Sequence, residues 1–327
     1  MGHKVKWGIV GLGSIANHFV KDLLLFEDAE LVAVASRSSE KAQAFAEEYR
    51  AKHHFNTYEA LFACKEVDVI YIATPHSFHA EIAIEAMKHE KHILCEKPMG
   101  VNTAEVEKMI ATAKENKVFL MEALWSRFNP SILKVLQLIR DGVIGDIKYI
   151  HSDFAFPALH RDHTNRLLNP DLAGGSLLDI GIYPIFLSYL LLGKPENIQA
   201  SSKFFETGIE MQSSMLFDYS DAQAILYSGL NSKSRMEAEI SGTKGSIFLD
   251  PKWHEAQGYT LEKDGQKTHN NLPTTGRGYF YEIQEVHTCL RNNKLESQLW
   301  SHQNSLDLIG LLDEVRQITG VVFPFEQ

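Results

Sequence analysis

The chain has 327 residues, enough for about two domains that each bury a core. Apolar residues make up 44% and charged residues 23%, the balance of a globular protein; collagen, repeat array and disordered chain are set aside. With 42 acidic against 32 basic side chains the formal net charge is −10, which excludes a phosphate-backbone binder, and no basic stripe interleaved with aromatics opposes that.

The first third alternates short apolar runs with amphipathic helical runs. Residues 5–10 read as a strand ending at Gly11, and residues 14–25 as a helix. Residues 31–35 form the next strand, and residues 39–49 a helix with Ser38 or Ser39 as N-cap. A short strand at 54–55 precedes a helix capped by Thr57 and running to Phe62. Residues 67–73, rich in β-branched Val67, Val69, Ile70 and Ile72, read as a strand buried on both faces. Helix 80–88, strand 92–95, helix 103–116 and strand 118–122 follow. Strand–helix alternation at this spacing predicts a parallel sheet covered by helices.

The pattern changes after Glu122, where Phe128-Asn129-Pro130 breaks the chain. A short helix at 132–141 closes at Gly142. Runs 148–156, 199–207, 211–219, 223–228, 235–240 and 246–249 then alternate at period two, with turn signals between them and a hairpin at Asp264-Gly265. Helices at 177–192, 279–291 and 305–319 are placed on one face of this second, largely antiparallel sheet. The fold class is therefore α/β: an N-terminal Rossmann doubly wound parallel sheet plus a C-terminal α+β domain with an open-faced sheet. The expected domains are residues 1–124 for dinucleotide binding and 125–327 for substrate binding and oligomerisation, with the C-terminal helix able to pack back on the first.

Gly11-Leu-Gly13-Ser14-Ile15-Ala16 sits where the first strand meets the first helix. Gly11 suits the sharp turn, Gly13 lets the backbone approach a pyrophosphate, and Ala16 allows close helix–strand packing. The helix N-terminus at Ser14 and Ile15 presents unpaired N–H groups to the phosphates. At the end of the second strand Ser36-Arg37 stands where an acidic residue would bond the ribose hydroxyls of NAD. A hydroxyl followed by a guanidinium suits a 2′-phosphate instead, so NADP is the expected cofactor, with NAD as the alternative.

Two further segments lie at carboxyl ends of strands, where α/β sheets place their sites. Thr74-Pro75 with His79 follows one strand, and Glu96-Lys97-Pro98 follows the next. In order and spacing, these motifs and the glycine turn resemble the family of glucose–fructose oxidoreductase, inositol dehydrogenase and the MocA proteins. Met121-Glu-Ala-Leu-Trp125-Ser-Arg127-Phe128 and Gly174-Gly-Ser-Leu-Leu-Asp179-Ile-Gly-Ile-Tyr183-Pro184 are similar to the branch with dimeric dihydrodiol dehydrogenase and some xylose dehydrogenases. The resemblance implies a two-domain NAD(P)-dependent oxidoreductase with its site in the crevice between the domains. It puts Lys97 near the reacting carbon and Arg127 on the cofactor, and implies a homodimer or higher homo-oligomer through the sheet. The inositol dehydrogenase branch pairs an Asp with a His four residues on; here Asp179 is kept and Tyr183 replaces that His.

The chemistry of the residues agrees. Oxidising an alcohol removes a hydride and a proton, and a tyrosine with an ordinary pKa of about 10 is too weak a base near neutrality. A nearby Lys97 ammonium favours the phenolate, making Tyr183 a general acid–base. Asp179 and Tyr183, four apart, share one helix face. Trp125, Phe154, Trp253 and Phe280 are expected to line the substrate pocket, since aromatic faces suit a sugar or diol-bearing ring; each ring serves equally well as core.

No metal is expected: the histidine pairs 76/79, 89/92 and 160/163 lack an H-E-x-x-H helix or a cysteine pair. Cys64, Cys95 and Cys289 are unclustered, which fits a reducing compartment. No charged-then-apolar leader opens the chain, and its longest apolar stretch is interrupted by Asp179 and Pro184, so a cytoplasmic protein without membrane or nucleic-acid partner is expected. The expected function is NADP-dependent hydride transfer to or from a sugar, diol or small carbonyl compound. The alternatives are an inositol or deoxysugar dehydrogenase and a non-catalytic NADP-binding regulator.

Overall fold

The computed structural model describes residues 4–326; residues 1–3 and 327 lie outside the described residues. The chain divides into two compact units. The first is built on six parallel strands: β1 (Val5–Val10), β2 (Ala29–Ala35), β3 (His53–Phe55), β4 (Val69–Ile72), β5 (His92–Glu96) and β6 (Leu120–Ala123). Their order is β3-β2-β1-β4-β5-β6, so the direction of winding reverses between β1 and β4, where such sheets open a crevice for a dinucleotide. Helices α1 (Ser14–Leu23), α2 (Ser39–Tyr49), α3 (Tyr58–Phe62), α4 (His79–Lys88) and α5 (Thr103–Asn116) connect them.

Caps set the helix starts. Ser38 accepts from Lys41 N, Thr57 from Ala60 N and Asn102 from Glu105 N, each supplying an acceptor to an otherwise unpaired donor. The run expected as a strand over 67–73 is a strand only at Val69–Ile72. Ala73 still donates to Val10 O at 2.8 Å, but there the chain already turns under Gly11.

The second unit opens with α6 (Pro130–Arg140), where Asn129 Oδ1 accepts from Ser131 N at 2.8 Å and Pro130 occupies the first turn. Its sheet comprises β7 (Ile147–Ala155), β8 (Asn197–Phe204), β9 (Glu210–Asp218), β10 (Gln223–Gly229), β11 (Ala238–Gly242), β12 (Gly245–Leu249), β13 (Gly258–Lys263) and β14 (Gln266–Asn271). The order is β14-β13-β12-β11-β7-β10-β9-β8, antiparallel except for the β7–β10 pair. On β10 Ala224, Leu226 and Ser228 are buried while Gln223 and Ile225 are exposed, the period-two signature of a sheet covered on one face. The strand expected from residue 235 starts at Ala238, because Met236 takes a left-handed backbone with φ 54°.

Helix α7 (Ile182–Leu192) covers this sheet and is preceded by one wide π turn, Leu177–Gly181. The widening lies just ahead of Pro184, whose ring lacks an N–H and would press on the carbonyl of Ile180 in a regular α-helix. The segment Pro170–Leu192 is long and apolar enough to cross a membrane by length and composition, yet 78% of its most apolar stretch is buried in the protein.

Residues 275–306 belong to the first unit. They contain α8 (Phe280–Arg291) and the first turn of α9 (His302–Thr319), the rest of which belongs to the second unit. The Asp22 carboxylate of α1 accepts from the backbone N–H of Arg277, Gly278 and Phe280 at 2.9–3.1 Å, so a side chain from α1 caps α8. Gly276 has φ +59°, and a Cβ there would lie 2.2 Å from Asp22 Oδ1.

Candidate active site

The glycine turn is shaped as an anion cradle. Gly11 has φ +86°, and a Cβ on it would lie 2.6 Å from the Ala73 carbonyl, so only glycine fits. A Cβ on Gly13 would meet nothing within 4 Å: that side of the turn is open. Gly13, the N-cap of α1, has no side chain to cap the helix, and the first N–H groups at Ser14, Ile15 and Ala16 follow it directly. Ala16 is fully buried, as close packing on β1 demands.

At the end of β2 the exposed Arg37 guanidinium lies 5.6 Å from the Phe78 ring centroid, and its charge acts on the Tyr58 phenol. Burial pushes the Tyr58 phenol up, and Arg37 opposes it. Ser36 Oγ accepts from Ser38 N at 3.3 Å. Arg37, Tyr58, Thr74, Pro75 and Phe78 line one end of a cavity of about 760 Å³ that runs on past Phe62, Ile82, Lys88 and Lys108 and is not lined by Gly11 or Gly13. An open glycine side, an uncapped helix start and a stacked guanidinium fit a dinucleotide bearing phosphates.

Lys97 is held by its neighbours on three strands. His79, fully buried, places Nδ1 2.9 Å from the Pro98 carbonyl oxygen and Nε2 2.9 Å from that of Thr74. It thus ties the Thr74-Pro75 turn to the Lys97-Pro98 turn, where the peptide bond is cis. Glu96 accepts from the Tyr71 hydroxyl and, at 3.2 Å, from Lys97 N. On the other side Glu122 Oε1 accepts from Met99 N at 2.9 Å, while Oε2 accepts from Trp300 Nε1 at 3.0 Å and Ser305 Oγ at 2.7 Å. Burial raises the Glu122 carboxyl; those three donors and the Lys97 charge oppose it. Behind Glu96, Glu282 is fully buried, and desolvation with the Glu96 and Asp22 charges pushes its carboxyl well above the ordinary value. Trp125 is buried and stacks on Tyr279 with ring centroids 4.9 Å apart. Phe280, expected in the substrate pocket, stacks instead on Phe26 at 4.2 Å, within the first unit.

In the second unit Asp179 and Tyr183 are both buried. Asp179 Oδ1 pairs with Arg166 Nη1 at 2.8 Å. Tyr183 sits among Phe154, Trp253 and His254, with ring centroids 5.4, 6.5 and 5.3 Å away. His254 stacks on Phe154 at 4.2 Å, and Trp253 donates to Asp153 O at 3.0 Å. Phe154, Trp253 and Tyr183 are thus brought together, and Arg127 is buried in the same unit. Sequence reasoning missed Tyr58, Glu122, Arg166, His254 and Tyr279. A carboxylate inside the apolar run ending β6 was the one local signal, for Glu122. Among the described residues no group of three His, Cys, Asp or Glu side chains could hold a metal ion.

Fold and cradle together define an NAD(P)-binding oxidoreductase. Residues 5–124 match the model of the oxidoreductase family with NAD-binding Rossmann fold, and residues 132–248 match the GFO/IDH/MocA C-terminal domain. The chain belongs to the GFO/IDH/MocA family. It is 32% identical over 328 residues to the scyllo-inositol 2-dehydrogenase (NADP(+)) IolU of Bacillus subtilis, covering 99% of each chain. It is 35% identical over 333 residues to the trans-1,2-dihydrobenzene-1,2-diol dehydrogenase of Mus musculus, covering 98% of each. Among solved structures, an aldose-aldose oxidoreductase from Caulobacter crescentus with glycerol is similar at TM-score 0.89 and 25% identity, over 97% of this chain and 98% of that one.

Proposed function

We propose that this protein is an NADP-dependent dehydrogenase of polyhydroxylated small molecules (sugars, inositols or vicinal diols). Tyr183 is its general acid–base, Lys97 the cation that tunes that tyrosine, and Asp179 the carboxylate beside it on the helix. The observation that carries this reading is a buried phenol in an aromatic surround, four residues after a buried, ion-paired carboxylate. Likeness over nearly the whole chain to dehydrogenases named for scyllo-inositol and for a dihydrodiol supports the substrate class.

The bound dinucleotide supplies the hydride chemistry. The residues of the chain bind it and manage the proton. Gly11, Gly13 and the start of α1 receive its phosphates, and Arg37, backed by Phe78 and Tyr58, receives a 2′-phosphate. Tyr183 takes the proton of the substrate hydroxyl during oxidation and returns it during reduction, and the Lys97 ammonium favours the phenolate form. The rings of Phe154 and Trp253 offer apolar faces to a sugar or cyclohexane ring.

The test is NADPH or NADP turnover with scyllo-inositol, D-xylose and trans-1,2-dihydrobenzene-1,2-diol. Tyr183→Phe and Lys97→Met are each expected to lower kcat by about two orders of magnitude. Near-normal turnover in either variant removes the mechanism. Tight NADPH binding with no turnover across the panel favours the regulator instead. A homodimer through the exposed face of the eight-stranded sheet, where Ile225 is 47% exposed, is part of the proposal. Light scattering showing a monomer would remove it.

A further inference from the structure

Glu210 opens β9, and its side chain is buried at 2% exposure with no cation among the groups that act on it. A carboxyl in such a place costs free energy unless donors repay it. Two of the donors come from the start of the helix that carries Asp179 and Tyr183. Leu177 N donates to Glu210 Oε2 at 2.9 Å, and the Ser176 hydroxyl donates to Oε1. Ser213 of β9 adds a third bond at 3.0 Å, and Ser176 Oγ lies 2.9 Å from Ser228 Oγ on β10.

The backbone is shaped around this carboxyl. Gly175 has φ +123°, and a Cβ there would lie 2.6 Å from Glu210 Oε2. Gly181, at the far end of the π turn, sits against β10, where a Cβ would lie 2.9 Å from Ser228 Oγ. Leu177–Gly181 is therefore hydrogen-bonded at its first residue to Glu210 and packed closely at its last against β10, with Asp179 midway and Tyr183 two residues beyond.

We propose that Glu210 is a positioning residue for the acid–base pair, a buried carboxyl that fixes the first turn of the helix and thereby aims Asp179 and Tyr183. The proposal rests on the reading of Tyr183 given above. The carboxyl works by offering two acceptor oxygens a set distance from β9. Burial pushes its pKa up to about 7, so a neutral amide of the same length is a fair mimic: its oxygen accepts from Leu177 N, and its NH2 meets hydroxyls that can turn to accept. A shorter carboxylate draws back from Leu177, and a methionine offers Leu177 no acceptor.

The experiment compares full-length Glu210→Gln, Glu210→Asp and Glu210→Met with wild type in three measurements. They are NADPH binding by fluorescence, amide hydrogen exchange over residues 177–183, and kcat with whichever of the three panel substrates is turned over best. Glu210→Asp and Glu210→Met are expected to lose about tenfold to a hundredfold in kcat. They should also exchange faster at 177–183 and bind NADPH as wild type does, because the cradle lies in the other unit. Glu210→Gln is expected to keep most of kcat, and a Glu210→Asp/Tyr183→Phe double variant to be no slower than Tyr183→Phe. Wild-type kcat or unchanged exchange in Glu210→Asp overturns the proposal, as does a loss of NADPH binding that matches the loss of turnover. If Glu210→Met does not fold, the Asp and Gln variants decide. Normal turnover by Tyr183→Phe refutes the acid–base reading, whereas unchanged exchange in Glu210→Asp refutes the positioning role, and the two failures are told apart in this way.

Discussion

The Glu122 carboxylate accepts the backbone N–H of Met99 at 2.9 Å, two residues past Lys97. Its other oxygen accepts from Trp300 Nε1 and Ser305 Oγ. Glu122→Ala leaves three buried donors unpaired and is expected to cost about 2–4 kcal/mol of stability. Glu122→Gln, which keeps one acceptor, should cost less. Urea unfolding measures both, and equal stability of wild type and Glu122→Ala would show that these bonds hold nothing.

The two glycines of the cradle should fail differently. Gly11→Ala forces a side chain onto the Ala73 carbonyl at positive φ, so a lower Tm is expected, with a cost of at least about 1–2 kcal/mol. Gly13→Asp projects into open space and should melt as wild type does. Its charge faces the incoming phosphates, and NADPH affinity measured by fluorescence is expected to fall by about tenfold or more. Intact NADPH binding in Gly13→Asp would place the pyrophosphate elsewhere.

On the proposed reading, Arg37 carries the preference for NADP over NAD. Losing a charge-assisted contact to a 2′-phosphate should cut the NADP to NAD ratio of kcat/KM by about tenfold to a hundredfold in Arg37→Ala. Tyr58→Phe, which removes the hydroxyl on which the Arg37 charge acts, should move the ratio the same way by less. An unchanged ratio in Arg37→Ala refutes the assignment.

Glu282 predicts a pH dependence of stability. Its native carboxyl is raised well above 4.5 by burial and by the Glu96 and Asp22 charges, so the native state binds this proton more tightly than the unfolded chain does. The corresponding stability is full below pH 4.5 and is lost as pH rises towards the native value, at up to about 1.4 kcal/mol per unit. Glu282→Gln lacks the titrating proton. Its stability relative to wild type should therefore improve from pH 5 to pH 8 in urea unfolding; a constant difference across that range would show that Glu282 does not titrate as described.

Much of the cradle was legible because its causes are local. The turn at Gly11 follows from backbone sterics within a few residues, and Ser38 and Thr57 cap helices three residues ahead of the donors they serve. The long apolar runs marked strands buried on both faces, and period-two alternation marked the second sheet. The ends were less legible. Residue 73 reads as strand but turns under Gly11, and residues 235–237 read as strand until Met236 takes positive φ.

The chain alone determined the strand–helix alternation of the first unit and its glycine turn, because sterics, periodicity and capping act over a few neighbouring positions, while Lys97 and Tyr183 were singled out by resemblance to a family. Tertiary structure decided which carboxylates do something other than face water. Glu122 meets Trp300 across 178 positions of sequence, and Glu210 meets Leu177 across 33. Desolvation and donor supply depend on everything packed around a group, and those neighbours come together only when distant segments fold onto the same strand ends.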